Sequence, residues 1–171
     1  MITVCFHGVE STGKSVLAAK LAADLGCPWV PEYGRTYCEE HGTDLTMADL
    51  LAIAEGQAAE VVRAQAGNPP LLILDTDQLM TAAWAQMLFG HVPPVLMGYP
   101  KADLYLRFAP DVPWVDDGTR FFGDPQSRAR FADLADAMLA EAGVAVAPVS
   151  GSWAQREQAA RAALATLLGK A

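Results

Sequence analysis

The sequence predicts an α/β fold: an open, mostly parallel five-stranded sheet with helices on both faces. Three observations carry this expectation. Short apolar runs alternate with longer helix-forming stretches along the whole chain. The run Leu71–Leu74 is apolar at every position, as a strand covered on both faces requires. A glycine-rich loop beginning at Gly8 separates the first apolar run from the first helical stretch. No internal repeat or low-complexity linker interrupts the pattern, so residues 1–171 read as a single domain.

The first strand is expected over Ile2–Phe6. A helix is expected from Ser15 through Leu25, with Gly26 as its stop. Pro28–Val30 reads as the second strand. Thr46 can cap a long helix from Met47 to about Ala66, which the sequence Gly67-Asn68-Pro69-Pro70 ends. After the buried strand Leu71–Leu74, a helix spans Asp77 to Phe89. The proline-bearing stretch Gly90–Pro100 reads as a loop or broken helix. Leu104–Phe108 is the fourth strand, followed by a charged, aromatic segment of about 114–128 in the place of a lid. A helix from about Pro125 to Ala142 ends at Gly143, Val144–Val149 is the fifth strand, and a Ser152-initiated helix follows.

Composition narrows the function classes. Of 171 residues, 52% are hydrophobic, enough for one full core. A formal net charge of −8 and a pI near 4.7 argue against a broad surface for nucleic acid, since such binding depends on many Lys and Arg contacts to phosphates. An anionic ligand must therefore meet a local positive site. Cys5, Cys27 and Cys38 form an odd set without CxxC spacing, which suits free thiols in a reducing compartment rather than a zinc site or disulfide framework. The glycine loop begins too early to leave room for a signal segment, and no apolar run approaches the roughly 20 residues of a membrane span. The expectation is a cytoplasmic protein with no membrane partner.

The loop Gly8-Val9-Glu10-Ser11-Thr12-Gly13-Lys14-Ser15 fits GxxxxGK[ST] between a strand and a helix, the context that gives this motif its meaning as a P-loop. Its glycines let backbone N–H groups and the positive helix end surround a β-phosphate. Lys14 should reach the β- and γ-oxygens of ATP, and Ser15 offers a hydroxyl to Mg²⁺. Asp75, delivered by Leu71–Leu74 to the C-terminal edge of the sheet, is the matching magnesium-side carboxylate, with a helix cap as its bland alternative. Asp77 has the same two readings. A small GTPase would need an Asn-Lys-x-Asp segment, and the sole asparagine, Asn68, is followed by Pro69. An AAA-type motor usually carries a further helical domain after its core, and this chain ends soon after its fifth strand. The expectation is a compact phosphotransferase.

Glu32-Tyr33-Gly34-Arg35, Asp75-Thr76-Asp77 and Trp114-Val115-Asp116-Asp117-Gly118-Thr119-Arg120 together resemble the kinase domain of the NadR-type ribosylnicotinamide kinases, in order and rough spacing. The glycine loop extends the likeness at one end and Tyr99-Pro100, Phe131 and the last strand extend it at the other; Pro31 and Thr119 depart from it. The resemblance implies transfer of the γ-phosphate of ATP, with Mg²⁺, to the 5′-hydroxyl of nicotinamide riboside.

Candidate roles follow from residue chemistry and from this likeness. Related nucleoside kinases place a carboxylate after the second strand, so Glu32 is assigned to bind and deprotonate the acceptor hydroxyl, with Asp75 as its rival. Arg35 either pairs with Glu32 or reaches a phosphate. Arg120, and secondarily Arg128, could bring a guanidinium to the transferring phosphate from the lid. Tyr33, Trp84 and Trp114 could wall a cationic pyridinium ring, helped by the carboxylates of Asp77 or Asp116, or could simply pack in the core. His7, beside the glycine loop, is given no role.

Overall fold

In the computed structural model, which describes residues 1–115 and 121–169, the first strand β1 (Ile2–His7) lies at the centre of a five-stranded sheet. The chain continues through α1 (Lys14–Leu25), β2 (Trp29–Val30), α2 (Tyr33–His41), α3 (Met47–Gln65), β3 (Leu71–Leu74) and α4 (Gln78–Phe89). It then runs through α5 (Pro94–Gly98), β4 (Leu104–Phe108), α6 (Pro125–Ala142), β5 (Val146–Val149) and α7 (Trp153–Leu168). The strand order is β2-β3-β1-β4-β5 and every neighbouring pair is parallel, with Ile2 opposite Leu71 on one side of β1 and Val4 opposite Leu104 on the other.

Strand alternation divides the core between the two faces. Cys5, Leu72, Leu74 and Tyr105 point to one face, where Leu50, Leu79 and Phe131 of α3, α4 and α6 cover them. Val4, Phe6, Leu71, Ile73, Leu106 and Phe108 point to the other, against Leu17 and Leu21 of α1 and Ala160 and Leu164 of α7. The order reverses at β1: the chain leaves it toward β2 and β3, then crosses to β4 and β5. The C-terminal ends of β1 and β3 therefore border a crevice at a topological switch point, the usual ligand position in such sheets.

Helix ends follow the local chemistry. Thr46 and Asp49 form a capping box for α3, and Ser152 and Gln155 form one for α7. Gly26 and Gly143 end α1 and α6 in the left-handed conformation.

Two elements differ from expectation, and a third, expected as a loop or broken helix, takes the second form. The helix α2 lies where no helix was expected because it buries no residue fully and so shows no apolar stripe. It is held instead by polar and aromatic contacts: Tyr37 donates to Asp49 at 2.6 Å and its ring stacks on His41 at 4.3 Å. Within Gly90–Pro100, Pro94 starts the short helix α5, which seats Leu96 in the core. The last strand begins at Val146 rather than Val144, whose side chain packs against the α3–α4–α6 core instead. Among the described residues, no helix is long and apolar enough to cross a membrane.

Candidate active site

Two backbone features shape the loop between β1 and α1. Gly8 has φ +137°, and a Cβ there would lie 2.7 Å from the carbonyl oxygen of Phe108, so a side chain is excluded by both conformation and space. Gly13 has φ +83° at the N-cap of α1, with the Trp153 ring 3.0 Å from where its Cβ would stand. No side chain caps α1, so its first N–H groups and the positive end of its dipole face the loop's interior. Thr12 Oγ1 and Lys14 Nζ both donate to the Val9 carbonyl, at 2.9 and 2.8 Å. This holds the lysine's charge across the loop.

Asp75 leaves the end of β3 and is buried. The Ser15 hydroxyl and the Glu32 backbone N–H lie close enough to favour its charged form. Burial raises its pKa, against the opposing pull of the Lys14 charge. Its Oδ1 is buried with no hydrogen-bond partner among the described residues. A hydroxyl beside a carboxylate that keeps one oxygen for another partner is a hard-oxygen donor set, and it fits a magnesium ion.

A cavity of about 330 Å³ opens from the loop. Of the expected site residues, Gly8, Glu10, Ser11, Thr12, Gly13, Lys14, Ser15, Glu32, Arg35 and Trp84 line it. At its far end Trp84 meets Phe121 at 5.0 Å between centroids and Phe131 at 4.6 Å. Glu10 lies deep enough for burial to push its carboxyl up to about 7; the Phe121 N–H that it accepts at 3.1 Å opposes that shift, and nearby Glu32 adds to it. Although Glu10 was expected to serve ATP as part of the loop, its side chain turns toward the aromatic end.

Several expected residues stand elsewhere. Asp77 does not face the cavity. It is buried beneath it as the N-cap of α4, accepting the Leu79 N–H at 3.0 Å and a short hydrogen bond from the Tyr105 hydroxyl, and burial raises its pKa. Both carboxylate oxygens are thus committed to the fold, and the structure corrects the assignment of Asp77 to the substrate. Tyr33 is also outside the cavity lining; its ring occupies space over Gly56 of α3, where even a Cβ would be 2.1 Å away. Trp114 packs against Gly123. Arg128 donates to the Val112 carbonyl at 2.7 Å rather than lining the cavity. Asp116 and Arg120 lie outside the described residues.

Two residues missed in the sequence organise the site. Gln57 is buried, donates to the Pro31 carbonyl at 3.3 Å and accepts the Tyr33 N–H at 2.8 Å, so it grips the chain on both sides of Glu32. Arg156, 1% exposed, donates to the carbonyls of Thr12, Ala109 and Gly151 and pairs with Asp111, tying the glycine loop to β4 and α7. Each interrupts an apolar helix stripe, Leu50-Ile53-Ala54-Gln57 and Arg156-Ala160-Leu164. A polar residue in such a stripe is the signal that could have found them.

A glycine loop between the central strand and the first helix, with a hydroxyl and a strand-end carboxylate beside it, defines the P-loop α/β class. The chain belongs to the AAA domain family, whose model matches residues 3–156. Trifunctional NAD biosynthesis/regulator protein NadR of Escherichia coli (strain K12) is 34% identical over 146 residues, 81% of this chain and 36% of that protein. The chain therefore spans about a third of the length of this curated relative. Two solved structures of NadR protein superpose at 25% identity, each over 49% of its chain. The complex with NAD and AMP-PNP covers 98% of this chain at a TM-score of 0.78, and the complex with NR covers 96% at 0.79. Deoxyadenosine kinase from M. mycoides, at 12% identity and a TM-score of 0.67 over 96% of this chain, shares the fold alone. The resemblance read from Glu32–Arg35 and Asp75–Asp77 is thus shown by sequence and fold, and it supports a nucleoside or nucleotide kinase. The AAA domain match describes the same P-loop core, although an AAA-type motor was set aside on the sequence.

Proposed function

We propose that this chain is an ATP-dependent, cytoplasmic kinase that phosphorylates the 5′-hydroxyl of nicotinamide riboside to give nicotinamide mononucleotide. The observation that carries the reading is one cavity in which the phosphate loop, Glu32 and the aromatic end at Trp84 face one another. The likeness to NadR, solved with AMP-PNP and with NR, supports the choice of both substrates.

In this reading the loop's N–H groups and Lys14 hold the β- and γ-phosphates. Gln57 fixes the segment around Glu32, whose carboxylate takes the proton of the acceptor hydroxyl. That oxygen forms a bond to the γ-phosphorus as the bond to the β-phosphate oxygen breaks and ADP leaves. The transition state is loose, so alignment and charge contribute more than the base. Bound at Ser15 and Asp75, a magnesium ion would supply charge neutralisation at the phosphate oxygens. Trp84, Phe121 and Phe131 offer aromatic faces to the pyridinium ring, whose positive charge the carboxylates of Glu10 and Glu32 also favour.

The test is turnover with Mg-ATP and a panel of acceptors. Nicotinamide riboside is expected to yield its mononucleotide and to be preferred over uridine and cytidine. Ready phosphorylation of an unrelated alcohol with none of the riboside would overturn the acceptor. ATP binding without any product would identify a non-catalytic nucleotide-binding module.

A further inference from the structure

Two side chains of the phosphate loop reach away from the phosphates. The Oε2 of Glu10 accepts the Phe121 N–H at 3.1 Å, and the Phe122 N–H lies close enough to favour the charged form of this carboxylate. The Ser11 hydroxyl accepts the Val115 N–H at 2.8 Å and donates to the Pro113 carbonyl at 3.3 Å. Ser11 adopts φ +58°, an uncommon conformation for a residue with a side chain. Of the two contacts, the one made by Glu10 bears on the acceptor end. Phe121 and Phe122 both pack on Trp84, at 5.0 and 5.1 Å, and Phe122 meets Phe131 at 5.1 Å.

We infer that Glu10 is a positioning residue that sets the aromatic acceptor wall from the phosphate loop and thereby couples the two substrates. This deepens the reading above and rests on it for the identity of the acceptor. A carboxylate between the ATP loop and a pair of backbone amides transmits a displacement of either one to the other. The rings beyond those amides form the surface on which the acceptor ring lies. When ATP's phosphates fix the loop, they fix Glu10, and Glu10 fixes Phe121 and Phe122 against Trp84. By linkage, an acceptor bound on that wall strengthens ATP binding by the same factor. A purely structural contact would stabilise the fold without making one substrate's affinity depend on the other.

The test uses the full chain with Glu10→Ala and Glu10→Gln. The amide oxygen of glutamine still accepts an N–H, whereas alanine cannot. In the protein without ligands, amide exchange at Phe121 and Phe122 should accelerate by about tenfold in Glu10→Ala and by much less in Glu10→Gln. In the second measurement, nicotinamide riboside is titrated with and without AMP-PNP. The wild-type protein should bind the riboside about fivefold or more tightly when AMP-PNP is present, Glu10→Gln should keep most of that gain, and Glu10→Ala should lose it. Unchanged exchange at the two amides, or equal coupling in wild type and Glu10→Ala, would overturn the inference. If the wild-type protein does not bind the riboside, the acceptor reading fails, and the amide exchange alone decides the role of Glu10.

Discussion

Asp75 and Asp77 are two residues apart and chemically identical, yet the exit from β3 gives them separate work. Asp75 meets Ser15 beside the phosphate loop, whereas Asp77 caps α4 and accepts the Tyr105 hydroxyl. Sequence spacing could not separate them, because the choice is made by which side of the strand end each one leaves. The expected consequence is a split between stability and activity. Asp77→Ala should lower unfolding free energy by about 1–2 kcal/mol or more, as loss of a cap and of a buried hydrogen bond from Tyr105 does, with the acceptor KM little changed. Lys14→Ala should do the reverse: a melting temperature near that of the wild type and a fall in kcat of about a hundredfold or more, since it removes charge at the phosphates and no core packing. Thermal melts and steady-state kinetics on the two variants check both. His7 gives a third test. Its ring is fully buried, its Nε2 lies 3.0 Å from the Ala135 carbonyl oxygen, and burial lowers its pKa to about 4. The folded state binds this proton less readily than the unfolded chain. The His7 contribution is therefore complete above pH 6.5 and is lost as pH falls from 6.5 toward 4. Between pH 7 and pH 5 this amounts to about 2 kcal/mol. Urea titrations at the two pH values should show that His7→Gln loses correspondingly less stability than the wild type.

Element boundaries were legible wherever a cap or an apolar run stood close by in sequence. Thr46, Ser152, Gly26 and Gly143 mark helix ends as residue chemistry requires. The helix α2 was not legible, because its support comes from Tyr37 reaching Asp49 of α3 rather than from an apolar stripe of its own. The glycine in the middle of α3 has the same kind of explanation. Gly56 costs helix propensity, and the Tyr33 ring of α2 fills the space that its missing side chain leaves. Gly56→Ala gains about 1 kcal/mol of helix propensity in isolation but must displace that ring, so a net loss of stability is expected. The same change in the Tyr33→Ala background should be neutral or stabilising. A double-mutant cycle by chemical denaturation reads the coupling directly.

For the whole molecule, the parallel sheet and both helical faces could be read from alternating apolar and helix-forming segments. The glycine loop of the candidate site could be read for a related reason: Gly8 to Ser15 are consecutive, so their chemistry shows as a motif. The aromatic half of the cavity could be read only in part. Gln57, Trp84, Phe121 and Phe131 come from distant parts of the chain and are assembled by the order β2-β3-β1-β4-β5 and the helices above it. Of the expected aromatic wall, Trp84 lines the cavity while Tyr33 packs on α3 and Trp114 on Gly123. In the proposed reading a chain of net charge −8 meets a polyphosphate through Lys14, Arg35 and the end of α1, which act locally, inside a crevice. In the proposed reading, phosphate donor and nucleoside acceptor meet in this one cavity, across Glu32. The most direct measurement is a crystal structure of the protein with AMP-PNP and nicotinamide riboside. It should show the triphosphate in the Gly8–Ser15 loop, the pyridinium ring against Trp84 and Phe121, and the riboside 5′-hydroxyl between Glu32 and the γ-phosphate. A riboside bound elsewhere, or with its 5′-hydroxyl turned away from Glu32 and the γ-phosphate, would contradict it.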